Sequence, residues 1–451
     1  MKSIKRSLRL ISIRMLAFII GMIILVMKIQ RESAFYISHS DTAELGLVYD
    51  RNGEVLFDDD ADPSKYGENY FIDVGNLIGD AKGQMSNTLV SRNIEKLNNY
   101  SFSLGLVQKG GESAIYTSLD HYANRKVYDS FGASKGCAVA YDYTTGEILV
   151  CTSLPSLDVT KGYADIENFE SGTLISKVMY GTVPGSTQKI PTTLSAFQIM
   201  GTDTLLGKSY SCSGAYMNKG ENEIDCHNSY GHGTQNIQEA FINSCNPFFA
   251  QLVEDDSMPL EQIIKCYEKM GYAINGAKEN YIDIDGIKCD TASTTLTDSY
   301  DFNTQWGCIG QGKTLVSPMQ MMLWQSGIVN ETGKMTMPYL IQYTTDVQGK
   351  RDNFAETSFS EEVFTSESAK EVKQIMLENG KNYSESISGY TLGIKSGTAQ
   401  IKDGDEENSL LTGFIVDERH PIAFCVLLEN KENSETNSEN IVKTLLDAIC
   451  Q

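Results

Sequence analysis

The residue pair best suited to covalent chemistry is Ser186 and Lys189, in the stretch Pro184-Gly185-Ser186-Thr187-Gln188-Lys189. On a helix, residues three apart stack on one face. The lysine amine can then take the proton of the serine hydroxyl, which is inert as a nucleophile without an adjacent base. Such a pair arises by chance in any long chain, so its weight must come from elsewhere. Two further short motifs follow it, Ser244-Cys245-Asn246 and Lys395-Ser396-Gly397-Thr398. Each alone reads equally well as a structural device: a helix cap, a turn, or a lysine on a strand edge. It is their order along one chain that carries information.

The 451 residues are 41% hydrophobic and 21% charged, ample for a large core. The net charge of −22 is unevenly spread. Residues 1–31 carry seven basic side chains and no acidic one, leaving 30 basic and 59 acidic residues in the remainder. That acidic balance argues against a nucleic-acid partner. None of the ten cysteines falls in a CxxC pair, which disfavours a zinc ribbon or a redox motif. Cys212, Cys226, His227 and His232 lie close in sequence, but their spacing fits no standard zinc pattern, so no metal is expected. Cys137 and Cys151 flank a turn and are read as two buried thiols in preference to a disulfide. His232 has no acidic neighbour and is read as structural.

The apolar run Met15–Met27, extended back through Leu10, is long enough for a membrane span if Arg14 snorkels toward the headgroups. The basic cluster before it predicts a cytoplasmic N-terminus and an exported remainder. An uncleaved anchor is expected over a signal peptide, since Met27-Lys28-Ile29-Gln30-Arg31 is a poor cleavage site. Residues 32–115 read as a small stalk module, with a hairpin over Leu47–Leu56 around Asn52-Gly53. A second hairpin, Gly136 to Cys151, opens the larger domain. Helices and loops follow through residue 390, including one helix from Ile237 to Val253. Strands then return at Thr391–Ile401, Leu411–Val416 and Ile422–Leu428, before a last helix, Ile441–Ile449. Strands at both ends with helices between them predict an α+β domain built on a mainly antiparallel sheet flanked by helices.

The three motifs, in this order and behind an export anchor, resemble the set S-x-x-K, S-x-N and K-[ST]-G of penicillin-binding proteins and serine β-lactamases. The sequence is most similar to the class B penicillin-binding proteins, membrane-anchored D,D-transpeptidases that cross-link peptidoglycan. Tyr49-Asp50-Arg51-Asn52-Gly53, Thr117-Ser118-Leu119-Asp120, Thr145-Gly146-Glu147-Ile148, Gly231-His232-Gly233 and Ile309-Gly310-Gln311-Gly312 also resemble segments of that family. The resemblance implies three parts: a tail and single transmembrane anchor over 1–31, the stalk over 32–115, and a transpeptidase domain of serine β-lactamase-like fold over 116–451.

It also implies roles. Ser186 would attack the carbonyl between the two terminal D-alanines of a stem peptide, with Lys189 as base. Ser244 would relay a proton to the leaving amine, and Asn246 would hold substrate and Lys189. Lys395, Ser396 and Thr398 would bind the terminal carboxylate, with Gly397 letting the substrate lie close to the strand. The backbone N–H groups of Ser186 and Thr398 would form the oxyanion hole. β-Lactams would acylate the same serine, no cofactor is called for, and a lipid-II-polymerising glycosyltransferase is the implied partner at the membrane. A β-lactamase or penicillin sensor of the same fold, or a catalytically silent scaffold, are the competing readings. Two departures stand out: Gln188 where an aromatic or apolar residue is usual, and Pro191 early in the Ser186 helix, which predicts a late start or a bend.

Overall fold

The computed structural model describes residues 2–38, 45–101, 105–107, 110–401 and 405–451. Its main sheet has five strands in the spatial order Leu392–Ile401, Glu406–Ile415, Ile422–Glu429, Lys135–Asp142 and Ile148–Leu154. Every neighbouring pair is antiparallel. The early hairpin thus joins the three late strands in one sheet, and everything between residues 155 and 391 is inserted at its edge. The expected α+β architecture is the one found.

Residue alternation explains why this sheet is apolar throughout. Along Ile422–Glu429, residues Ile422, Phe424, Val426 and Leu428 enter a cluster with Ala123, Val127, Ile441 and Leu445, from the helices His121–Ser130 and Ser438–Ile449. Ala423, Cys425 and Leu427 point the other way. They meet a larger core that includes Leu194, Met321, Leu323, Val372 and Met376, from the helices Lys189–Met200, Pro318–Val329 and Ser366–Gly380. With helices on both faces, no position of the strand can be polar without a buried partner. Cys137 and Cys151 are both free and buried, and the register sets Cys137 opposite Ser153, not opposite Cys151.

A second sheet includes strands from both sides of residues 115 and 116. Its order is Arg351–Asp352, Ile341–Thr345, Ala114–Thr117, Leu47–Tyr49 and Val55–Phe57. The predicted Asn-Gly hairpin is there, but its first strand pairs in parallel with Ala114–Thr117, across which the 115/116 boundary was drawn. Residues 341–345 then complete the sheet from the far end of the chain. Tyr49, Tyr116 and Tyr343 stack in series at 4.8 and 4.4 Å, and Arg351 covers the last ring at 4.6 Å. The stalk segment is therefore not a self-contained module. At the N-terminus, the helix Lys2–Ser38 contains a 24-residue apolar stretch, Arg6–Ile29, of which none is buried. At 1.5 Å per residue it is about 36 Å long, enough to cross a hydrocarbon core of about 30 Å.

Asp50 ties the hairpin to the domain that follows. Its buried carboxylate accepts from the backbone N–H groups of Asn52 at 2.7 Å, Glu54 at 2.8 Å and His121 at 3.1 Å. Asp50→Ala strands these donors and is expected to destabilise the full chain by about 1–3 kcal/mol. Urea unfolding in detergent measures it, and a change within about 0.5 kcal/mol, the ordinary surface range, would show that the carboxylate does not hold the two parts together.

Candidate active site

Three segments meet at one edge of the main sheet. The first is a 3-10 turn, Gly185–Gln188, that runs into the helix Lys189–Met200. Ser186 sits in the turn and Lys189 opens the helix, so the pair is set by the tighter i to i+3 geometry. Pro191 falls in the first helical turn, where an N–H has no intrahelical partner to lose. The late start predicted from Pro191 is what the structure shows. Gln188 is wholly buried and accepts a 2.6 Å hydrogen bond from the Tyr272 hydroxyl at Oε1. Its Nε2 has no partner among the described residues.

The second segment corrects a sequence expectation. The single helix expected from Ile237 to Val253 is two, Ile237–Ile242 and Asn246–Glu254, broken at residues 243–245. Ser244 occupies the break in left-handed backbone, at φ of 53°. Pro247 near the start of the second helix was the overlooked signal, because proline favours a first helical turn and forbids an interior one. Asn246 donates from Nδ2 to the Asp225 carbonyl at 3.0 Å, leaving Oδ1 free to face Lys189.

The third segment is the strand Leu392–Ile401. Ser396 is half-buried and Thr398 exposed, while Lys395, Gly397 and Ala399 turn inward. Gly397 also makes a close approach of its own. A Cβ there would lie 2.6 Å from the Pro184 carbonyl oxygen and 3.2 Å from the Thr187 nitrogen. Gly397 lets the strand lie against the Ser186 turn.

The side chains converge tightly. Lys189 Nζ donates to Ser186 Oγ at 2.5 Å and to Asn246 Oδ1 at 2.8 Å, with Ser244 Oγ at 3.5 Å. Lys395 Nζ donates to Ser244 Oγ at 3.1 Å and to the Ser396 carbonyl at 3.0 Å. Both amines are wholly buried, against the rings of Phe249 and Phe241 respectively. Burial, and then the charge of Lys395, hold Lys189 well below the usual lysine range. Burial alone pulls Lys395 down to about 7. Among the described residues no carboxylate hydrogen-bonds to Ser186, Lys189 or Ser244. A cleft of about 520 Å³ opens over Ser186, Ser244, Asn246, Ser396 and Thr398.

Residues 136–447 match the family model of the penicillin binding protein transpeptidase domain. The chain belongs to this family. Stage V sporulation protein D of Bacillus subtilis is 28% identical over 291 residues, which are 62% of this chain and 42% of that protein. Peptidoglycan D,D-transpeptidase MrdA of Acinetobacter baumannii is 22% identical over 351 residues, 70% of this chain and 51% of that protein. The chain spans about half the length of the curated relatives it matches. Penicillin-binding protein A of Mycobacterium tuberculosis, solved as its penicillin G acyl-enzyme complex, superimposes with a TM-score of 0.74 at 17% identity, covering 90% of this chain and all of that one. The D,D-transpeptidase domain from Eggerthella lenta gives 0.72 at 18% identity, covering 90% and 98%. The penicillin-binding transpeptidase fold is thereby established.

The cleft also holds residues to which sequence reasoning gave no catalytic or substrate-binding role. Trp306, His227, Gln400 and Gln311 line it, and Gln311 Nε2 donates to the Thr398 carbonyl at 3.2 Å. The motif Gly310-Gln311-Gly312 was the available signal for the last. Gly310 itself sits at φ of 106°, and a Cβ there would meet the Gly185 carbonyl oxygen at 1.8 Å. Gly310→Ala must therefore push the Ser186 turn out of place. Its rate of acylation by fluorescent penicillin is expected to drop at least about tenfold, which corresponds to about 1.4 kcal/mol at the transition state. An unchanged rate would mean the turn tolerates displacement.

Proposed function

We propose that this chain is a serine D,D-transpeptidase that cross-links peptidoglycan stem peptides through an acyl-enzyme on Ser186. One observation carries the reading: a wholly buried lysine, Lys189, lies 2.5 Å from the Ser186 hydroxyl in a site where its neutral form is favoured. A neutral amine is a base, and a charged one is not. Lys189 takes the Ser186 proton as Oγ attacks the carbonyl between the terminal D-alanines. The negative charge that develops on that oxygen is assigned to the backbone N–H groups of Ser186 and Thr398. The proton passes through Ser244, which both lysines touch, to the leaving D-alanine amine. Lys395, Ser396 and Thr398 hold the substrate's terminal carboxylate, and Asn246 fixes Lys189 and the peptide backbone. The amine of a second stem peptide then attacks the ester, its proton returns by the same route, and Ser186 is released.

The same reading covers the surroundings. We assign Arg6–Ile29 as a single-pass anchor with the basic N-terminus in the cytoplasm, the catalytic cleft outside, and a lipid-II-polymerising glycosyltransferase as partner. β-Lactams enter as mimics of the D-Ala-D-Ala terminus; MrdA is named a peptidoglycan D,D-transpeptidase, and the superimposed penicillin-binding protein A was captured as a penicillin acyl-enzyme. The absence of a carboxylate bonded to Ser186 or Lys189 among the described residues favours slow hydrolysis of that adduct over β-lactamase turnover.

Labelling the full chain with fluorescent penicillin tests this directly. A long-lived adduct is expected, absent in Ser186→Ala; turnover within seconds would make the protein a β-lactamase, and no adduct would leave a silent scaffold. The pH profile adds a second check. Acylation should fall on the acid side as Lys189 gains a proton, and on the alkaline side from near pH 7 as Lys395, with its value of about 7, loses one. Lys395→Arg keeps its charge at any accessible pH, so the alkaline limb should move upward. A limb that stays in place belongs to another group.

A further inference from the structure

Beside the cleft, with Cys226 on its lining, lies a second cluster that the transpeptidase reaction does not use. Sγ of Cys212, Cys226 and Cys245 and a ring nitrogen of His232 all lie within 4.8 Å of one another. His232 Nδ1 faces two of the thiols, 3.4 Å from Cys226 and 3.9 Å from Cys212. A tetrahedral zinc with Zn–S of about 2.3 Å and Zn–N of about 2.0–2.1 Å sets its ligand atoms about 3.6–3.8 Å apart. The four atoms are thus already near the spacing such an ion needs. Three thiols are buried and the imidazole half-buried, so water does not compete for the position. The ligand set of three sulfurs and one nitrogen selects zinc over the harder cations.

The surrounding segment has little apolar core of its own and is tied to neighbouring helices by polar contacts such as Tyr216 to Glu254 and Asn218 to Gln305. Residues 209–235 form two small ribbons, in which Tyr210–Cys212 pairs with Gly233–Gln235, and Ala215–Met217 with Glu223–Asp225. Their buried residues are Cys212, Gly214, Asn218, Ile224, Cys226 and Gln235, so Ile224 is the only aliphatic side chain fully inside. A lobe of this size with so thin a core ordinarily needs a staple. The cysteines sit where a staple would act: Cys212 ends one strand, Cys226 follows another, and His232 precedes a third. Cys245 comes from outside the lobe, between Ser244 and Asn246. The backbone is also shaped for the approach, since a Cβ on Gly231 would lie 2.3 Å from the Cys212 carbonyl oxygen.

We propose that Cys212, Cys226, His232 and Cys245 bind one zinc ion, and that this ion fastens the 209–235 lobe to the Ser244–Asn246 turn of the cleft. Binding releases the three thiol protons to solvent and leaves zinc four-coordinate, with no open position for a substrate. Its function is structural: Ser244 in left-handed backbone and Asn246 on the Asp225 carbonyl are both held within two residues of a ligand.

The test uses the full chain, purified in detergent under reductant and dialysed against metal-free buffer. Elemental analysis is expected to find about one zinc per chain, lost in Cys226→Ser and in His232→Ala. Should those variants fail to fold, cobalt(II) added to the chelator-stripped wild-type chain decides, by a thiolate-to-cobalt charge-transfer band and the visible bands of a tetrahedral site. Wild-type protein with reduced thiols that carries no zinc and gives no cobalt spectrum overturns the site, as does a disulfide among these cysteines in the protein as isolated. Stripping is further expected to slow penicillin acylation at least about tenfold and readdition of zinc to restore it; an unchanged rate overturns the fastening role. Only this last measurement rests on the proposed transpeptidase reaction. A chain that binds zinc but never labels would refute that reaction and leave the site standing.

Discussion

A dry amine is what the structure is built to maintain. An amine can act as a base only while it is neutral, and water would keep Lys189 charged. The fold removes the water by burying Lys189 completely, yet leaves its amine three acceptors: Ser186, Asn246 and, at longer range, Ser244. Placing a second buried lysine beside it compounds the effect, because two ammonium ions cannot share a low-dielectric site cheaply. The pair resolves this by separating its surroundings. Lys189 is the more strongly depressed, while Lys395 stays near 7 and can still carry charge. Ser244 lies between them as the one group both amines reach.

That arrangement forces three remote segments into backbone contact, and glycine is what makes contact possible. Gly397 lets the Lys395 strand touch the Pro184–Thr187 turn, and Gly310 lets the following loop touch Gly185 from another side. Neither glycine faces the open cleft. The distances that matter for chemistry, a few tenths of an ångström at Ser186 Oγ, are therefore inherited from packing behind the site. The sheet adds rigidity by pairing residues 135–154 with residues 392–429, so the strand carrying Lys395 is the exposed edge of a ladder closed deep inside the domain.

Much of this was legible in the sequence because the reacting groups are chemically distinctive and short-range. Ser186 with Lys189, Ser244 with Asn246, and Lys395 each announce a possible function, and the structure brings all of them together. Pro191 was legible too, since its effect on a helix start is local. What escaped was everything decided by remote neighbours. The break at residues 243–245 lost to the apolar periodicity on either side, although Pro247 marked it. The contact of Gly397 with Pro184 was not legible because the two are over two hundred residues apart in sequence. Cys245 was left out of the cysteine–histidine set because it lies in another motif, and His227 was included only by adjacency. The pairing of the early strands with residues 341–345 escaped for the same reason.

The Ser244–Asn246 turn is the wall that holds a non-glycine residue in left-handed backbone, and its support explains its construction. Ser186 is held by a helix packed in the core, and Lys395 by a long ladder. Ser244 lies in the break between two helices, and its left-handed conformation costs of order 1–3 kcal/mol that the surroundings must offset. Three contacts supply that support from different directions: the Cys245 N–H to the Ala240 carbonyl, the Asn246 amide to the Asp225 carbonyl, and the Cys245 thiol among those of Cys212 and Cys226. Two of the three run to the 209–235 lobe. That lobe has almost no apolar core of its own, so the cluster of Cys212, Cys226 and His232 adds to the contacts of Tyr216 with Glu254 and of Asn218 with Gln305 in holding it. The position of Ser244 between the two lysines thus depends in part on the neighbouring cysteine–histidine cluster.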